Sequence, residues 1–120
     1  MGESDMGVSV WFNPSCSKCR TVQGMLADRD IDAELVEYLD RPPTRGQLHR
    51  VLDLLGTSDP RHIVRTGEAL YAELGLAEAD DEAVLDALVS HPVLIERPIV
   101  VVGDRAVVAR PPERLLELLA

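Results

Sequence analysis

Aromatic residues are nearly missing from this 120-residue chain: one Trp, two Tyr and one Phe, 3% in all. The 46% hydrophobic content must therefore come from Leu, Val, Ile and Ala, so the core is expected to be aliphatic. No apolar run approaches the roughly 20 residues of a membrane-spanning helix, so no membrane association is expected. Lysine is also scarce. Lys18 is the sole lysine among 12 cationic side chains, and the rest are arginine. Genome composition can produce such a bias, yet arginine is also the better bidentate partner for tetrahedral oxyanions. A net charge of -9 leaves no broad basic face, so direct nucleic-acid binding is not expected. The acidic start, Met1-Gly2-Glu3-Ser4-Asp5-Met6-Gly7, has no signal-peptide pattern and reads as a frayed terminus of a cytoplasmic protein. In a reducing compartment two cysteines are more readily catalytic or metal-binding than a structural staple.

Both cysteines lie in Asn13-Pro14-Ser15-Cys16-Ser17-Lys18-Cys19-Arg20. An apolar run, Val8-Ser9-Val10-Trp11-Phe12, precedes it and reads as a buried strand. Val22, Met25 and Leu26 follow at helical spacing. Cys16 thus stands where a strand ends, a Pro-bent loop turns and a helix begins. Unsatisfied N–H groups and the positive end of the helix dipole favour an anion there, and a thiolate over a thiol. An inert core cysteine would be out of place at that position, so Cys16 is the expected nucleophile. Arg20, four residues on, can lie one helical turn away and add positive charge. Cys19 completes a C-x-x-C, as a resolving thiol or as simple packing. Zinc is the weaker alternative: Cys16 and Cys19 with any of His49, His62 and His91 lack a second paired motif, and no metal is expected.

The rest of the chain reads as one domain, residues 1–120, with a helical insertion over about 44–90. The first helix ends near Arg29-Asp30, and residues 33–38 alternate as a second strand. Thr44 is a fair N-cap for a helix over 45–55, with Leu48, Val51, Leu52 and Leu55 on one face and Gly56 as the stop. Asp59-Pro60 opens a short helix over 61–65. Residues 68–74 add a turn or two with Leu70, Tyr71 and Leu74 inward. A further helix over 83–90 turns Val84, Leu85, Leu88 and Val89 to the core. Pro98 introduces a buried strand, Gly103-Asp104 turns the chain, and residues 106–109 pair back. A last helix over 113–119 packs Leu115, Leu116 and Leu119. A βαβ unit followed by ββα around a C-x-x-C is the thioredoxin-like arrangement: α/β (α+β), a four-stranded mixed sheet and an inserted helical subdomain.

Two further arginines occupy odd places. Arg97 directly precedes Pro98 at the lead-in to a central strand, where a charge is costly unless paired; a salt bridge to Glu96 is the plain alternative. In this fold Pro98 is expected to be cis and to aim Arg97 at the active cysteine. Arg110 precedes Pro111-Pro112 on the same expected sheet edge, or is merely exposed. Arg65 reads locally as an ordinary helix-end cation.

Together these residues resemble the glutaredoxin-fold arsenate reductase (ArsC/Spx-like) family. The matching blocks are Phe12-Asn13-Pro14-Ser15-Cys16 with Arg20, Tyr38-Leu39 with Pro42-Pro43-Thr44, and Arg61-His62-Ile63-Val64-Arg65. Further on come Leu74-Gly75-Leu76, the block from His91-Pro92 to Arg97-Pro98-Ile99-Val100-Val101, and Arg110-Pro111. The resemblance runs from about Val8 to Leu119. It implies reduction of arsenate to arsenite, with Cys16 as nucleophile and Arg65, Arg97 and Arg110 as the oxyanion-binding set. It implies no bound cofactor and an external thiol donor: glutathione/glutaredoxin, thioredoxin or another small thiol. The expected partners are thus arsenate or a similar oxyanion and a thiol-transfer protein. Where many members carry histidine this chain has Phe12, so activation of Cys16 must rest on the helix end and the cations. Cys19 points toward an internal Cys16–Cys19 disulfide recycled by thioredoxin or a small thiol. The alternatives are an Spx-like redox regulator docking on RNA polymerase, and a thiol oxidoreductase with another substrate.

Overall fold

Strand β1 (Val8–Trp11) lies inside a four-stranded sheet of order β2-β1-β3-β4, with β2 over Glu34–Val36, β3 over Ile99–Val102 and β4 over Arg105–Val108. In this computed structural model residues 7–119 are described; the acidic stretch 1–6, expected to be a frayed terminus, lies outside the described residues. β1 pairs parallel with β2, Val10 opposite Leu35, and antiparallel with β3, Val10 opposite Val100. β3 and β4 form an antiparallel hairpin, Val100 opposite Val107, turned at Gly103 with φ 60°. The sheet is four-stranded and mixed, as expected. β3 is almost wholly buried, which is why an unbroken Ile-Val-Val-Val run serves it.

The chain divides into two compact units. One holds the described residues up to Tyr38 and those from Arg97 onward; the other is Leu39–Glu96. In the first, helix α1 (Ser17–Asp28) and the terminal helix α5 (Leu116–Leu119) join the sheet in one core cluster. Alternation along the strands sends Val10 and Phe12, Val100 and Val102, and Val107 and Ala109 into that cluster. Cys16, Cys19, Val22 and Leu26 meet them from α1 and its cap, and Leu115 and Leu118 from the chain end. The chain's Trp11 and Tyr38 stack, ring centroids 6.4 Å apart.

The second unit contains helices α2 (Arg45–Leu55), α3 (Ala69–Glu73) and α4 (Asp81–Ser90), with 3-10 turns between them. Thr44 caps α2 with a complete capping box: its hydroxyl accepts from the Gln47 N–H at 3.1 Å, and the Gln47 Oε1 accepts from the Thr44 N–H at 2.8 Å. Gly56 ends the helix in the left-handed conformation, φ 80°. Thr44→Ala should lower the unfolding free energy by about 1 kcal/mol, read from the denaturant midpoint. An unchanged midpoint would deny the cap any contribution. Arg45 pairs with Glu82 and Asp86, tying α2 to α4.

Several expectations are corrected. The helix expected over 61–65 is a 3-10 turn, Pro60–Ile63, and Val64 is extended and bridges Ile95. Consecutive β-branched Ile63 and Val64 suit an extended exit better than a continuing helix. α3 buries no residue, and Leu74 is 43% exposed. Left-handed Gly75, φ 66°, turns the chain so that Leu76 goes inward instead. Leu116 is likewise 39% exposed. The last segment begins as a 3-10 turn, Pro112–Leu115, before the α-helix Leu116–Leu119, and it buries Leu115 and Leu118. The second strand is shorter than expected, and on α4 Ala87 is buried while Val89 is only half-buried. Among the described residues no helix is long and apolar enough to cross a membrane.

Candidate active site

The loop after β1 is a built turn. The Asn13 Oδ1 accepts from the Ser15 N–H, and the Asn13 carbonyl accepts from the Cys16 N–H, both at 2.9 Å. Arg20 reaches back from α1, its Nη1 donating to the Pro14 carbonyl at 2.7 Å. This arginine thus secures the loop. Cys16 is the N-cap of α1, extended at φ -93° and ψ 120°, and its carbonyl accepts the first helical bond, from Arg20 N–H at 3.2 Å.

Cys16 is 7% exposed, Cys19 is fully buried, and both are free thiols. Burial raises the Cys16 thiol, but four groups outweigh it: the Cys19 N–H, the Cys19 thiol, the Arg97 guanidinium and the Lys18 N–H. The net pKa lies below the ordinary thiol value. Cys19 goes the other way. Burial pushes it up to about 12, and interaction with Cys16 adds to the rise. The two sulfurs are therefore shifted in opposite directions, Cys16 toward ionisation and Cys19 away from it.

Arg97 enters just before β3, partly buried, and the Arg97–Pro98 peptide is cis as expected. The Arg110–Pro111 peptide, about which the sequence said nothing, is also cis. The Pro98 carbonyl accepts from Ala109 N–H at 2.9 Å, and the Arg97 carbonyl accepts from Arg110 Nη1 at 3.1 Å. Cys16, Cys19, Arg20, Arg97, Pro98 and Arg110 all belong to the unit that holds the sheet.

Arg65 belongs to the helical unit. Its N–H donates to the Leu94 carbonyl at 2.7 Å, beside the Val64–Ile95 bridge, and its Nη1 pairs with the Glu68 carboxylate at 3.0 Å. Arg61, in the same sequence block, is structural: its Nη2 donates to the Leu76 carbonyl at 2.7 Å and to the Ala79 carbonyl, holding the loop before α4. His49 and His62 are exposed, and His91 is the half-buried C-cap of α4. Among the described residues no three His, Cys, Asp or Glu side chains cluster as a metal site.

A family model described as the ArsC family matches residues 11–118. The Escherichia coli protein YfgD, whose name states no activity, is 40% identical over 114 residues, covering 93% of this chain and 96% of its own. A Neisseria meningitidis serogroup A protein named arsenate reductase is also 40% identical over 114 residues, covering 93% of this chain and 97% of its own. Among solved structures, an arsenate reductase from Vibrio cholerae superposes with a TM-score of 0.90 at 39% identity, covering 94% of this chain and 98% of that one. With a family match over residues 11–118 and relatives 40% identical over nearly the whole of both chains, the chain belongs to the ArsC family.

Proposed function

We infer that this protein reduces arsenate to arsenite, with Cys16 as nucleophile and a thiol as the source of electrons. The observation that carries the reading is Cys16 itself, a nearly buried cap thiol held below its ordinary pKa with the Arg97 charge acting on it. An anionic nucleophile approaches an anionic substrate only where their charge is compensated, and Arg97 and Arg110 supply that compensation. The relatives named arsenate reductase support the choice of oxyanion. The two guanidiniums also separate this reading from a disulfide switch alone, which needs no oxyanion site.

The Cys16 thiolate attacks As(V). A sulfur–arsenic bond forms, one arsenic–oxygen bond breaks, and the departing oxygen leaves as water once protonated. A second thiolate then attacks the Cys16 sulfur. The sulfur–sulfur bond forms, the sulfur–arsenic bond breaks with its electron pair on arsenic, and As(III) departs as arsenite. Two sulfurs have been oxidised to a disulfide and arsenic has gained two electrons. Cys19 is the internal candidate for the second thiol, after which thioredoxin or another external thiol donor reopens the pair. Arg65 is assigned to the oxyanion on the family resemblance alone.

The test is arsenate-dependent turnover with thioredoxin and with glutathione/glutaredoxin in parallel, for the wild type and Cys19→Ser. Thioredoxin should support the wild type and fail with the variant, which can no longer present it with the internal disulfide. Equal thioredoxin-supported turnover by both proteins would remove Cys19 from the resolving role.

A further inference from the structure

Two hydrogen bonds tie the chain just before β3 to the chain just after β4. The Ala109 N–H donates to the Pro98 carbonyl at 2.9 Å, and Arg110 Nη1 donates to the Arg97 carbonyl at 3.1 Å. The first bond is backbone to backbone and persists whatever side chain stands at position 109, proline excepted. The second depends entirely on the Arg110 side chain. Arg97 lies outside the β3–β4 ladder, whose pairing begins at Ile99 opposite Val108, and Pro98 has no N–H with which to anchor the segment. Backbone bonds hold the neighbours of Arg97, Glu96 N–H to the Ile63 carbonyl at 2.8 Å and Ala109 N–H to the Pro98 carbonyl, and the charge-assisted donor from Arg110 holds the Arg97 carbonyl between them.

The groups acting on the Cys16 sulfur are the N–H groups of Cys19 and Lys18 and the Cys19 thiol, all from α1, and the guanidinium of Arg97. Arg110 touches the backbone of the one arginine in that set. We propose that Arg110 is a positioning residue: by holding the Arg97 carbonyl it fixes the point of the chain from which the Arg97 guanidinium acts. The inference deepens the arsenate-reductase reading and rests on it for what the thiolate is used for. The tie itself operates without substrate.

The test therefore uses no arsenate. The pH dependence of Cys16 alkylation by iodoacetamide, followed by peptide mass, is measured on the reduced full chain as wild type, Arg97→Ala, Arg110→Ala and the double variant. Each single variant should move the profile to higher pH and slow alkylation near neutrality by about threefold or more, because only the thiolate reacts. The double variant should match Arg97→Ala, since a residue acting through Arg97 has nothing to act through once Arg97 is gone. Arg110→Lys, which keeps a charged donor, should restore part of the rate. Where Arg110→Ala does not fold, Arg110→Gln, too short to reach the carbonyl, should behave as the alanine variant is expected to. A wild-type profile in Arg110→Ala or Arg110→Gln, or effects that add in the double variant, would overturn the proposal. Failure of arsenate turnover would leave this result standing and would count only against the substrate.

Discussion

Replacing Arg97 by alanine should lower kcat/KM for arsenate reduction by about 10²- to 10³-fold, the loss expected when one preorganised oxyanion donor, contributing roughly 2.7–4 kcal/mol, is removed. Two effects combine in that loss and they separate by pH. Arg97 favours the ionised form of Cys16, so its removal raises the thiol pKa and reduces the thiolate present near neutrality. Raising the pH restores that part, because the thiol ionises anyway. It does not restore the missing guanidinium at the oxyanion. The deficit should therefore shrink, without vanishing, as the pH increases. The fold should be retained, since β3 is held by its ladder to β1 and β4 rather than by this side chain. Arsenite formation across pH, with thermal unfolding of both proteins as control, checks this. Wild-type turnover in a folded Arg97→Ala would remove Arg97 from the site.

Cys16→Ser should abolish arsenite formation altogether, leaving only the uncatalysed background. Serine is a preferred N-cap, so α1 should lose no stability from the change. The defect lies in the chemistry. A serine hydroxyl is not ionised by the groups that hold the Cys16 thiolate. Even if its oxygen formed an ester with arsenate, that oxygen could not be oxidised to a disulfide. The ester would simply hydrolyse back to arsenate with arsenic still As(V). The readout is arsenite produced with any thiol donor, alongside the unfolding midpoint. Arsenite formed by a folded Cys16→Ser at more than background would place the nucleophile elsewhere.

Much of this was legible because the signals are local. Thr44 with Gln47 three residues on, and Gly56 at the end, delimit α2 as read from the sequence. The Ile-Val-Val-Val run after Pro98 could only be a central strand, and Cys16 after Asn-Pro before a helical pattern could only be a cap. What escaped depends on phase or on long-range contact. Gly75 and the 3-10 turn at Pro112–Leu115 shift which leucine turns inward, and helical spacing alone cannot register either shift. Arg65 follows a 3-10 turn, where an arginine is unremarked, and only the family resemblance singled it out. The bond from Arg20 to the Pro14 carbonyl, six residues back, depends on how the loop folds and has no spacing signature. The tie from Arg110 to Arg97 joins residues 13 apart in sequence and has no local signature. The opposite shifts of Cys16 and Cys19 arise from burial and from facing groups, neither of which a C-x-x-C spacing encodes.

The central claim is that the thiolate at Cys16 carries electrons to arsenate. The most direct measurement is arsenite released against thiol oxidised by the reduced wild-type chain, supplied with arsenate and with thioredoxin, glutathione/glutaredoxin and a small dithiol in separate reactions. The account predicts arsenate-dependent turnover with at least one donor, two thiols oxidised for each arsenite. No arsenite with any of the three, from protein whose Cys16 still alkylates as a thiolate, would contradict it.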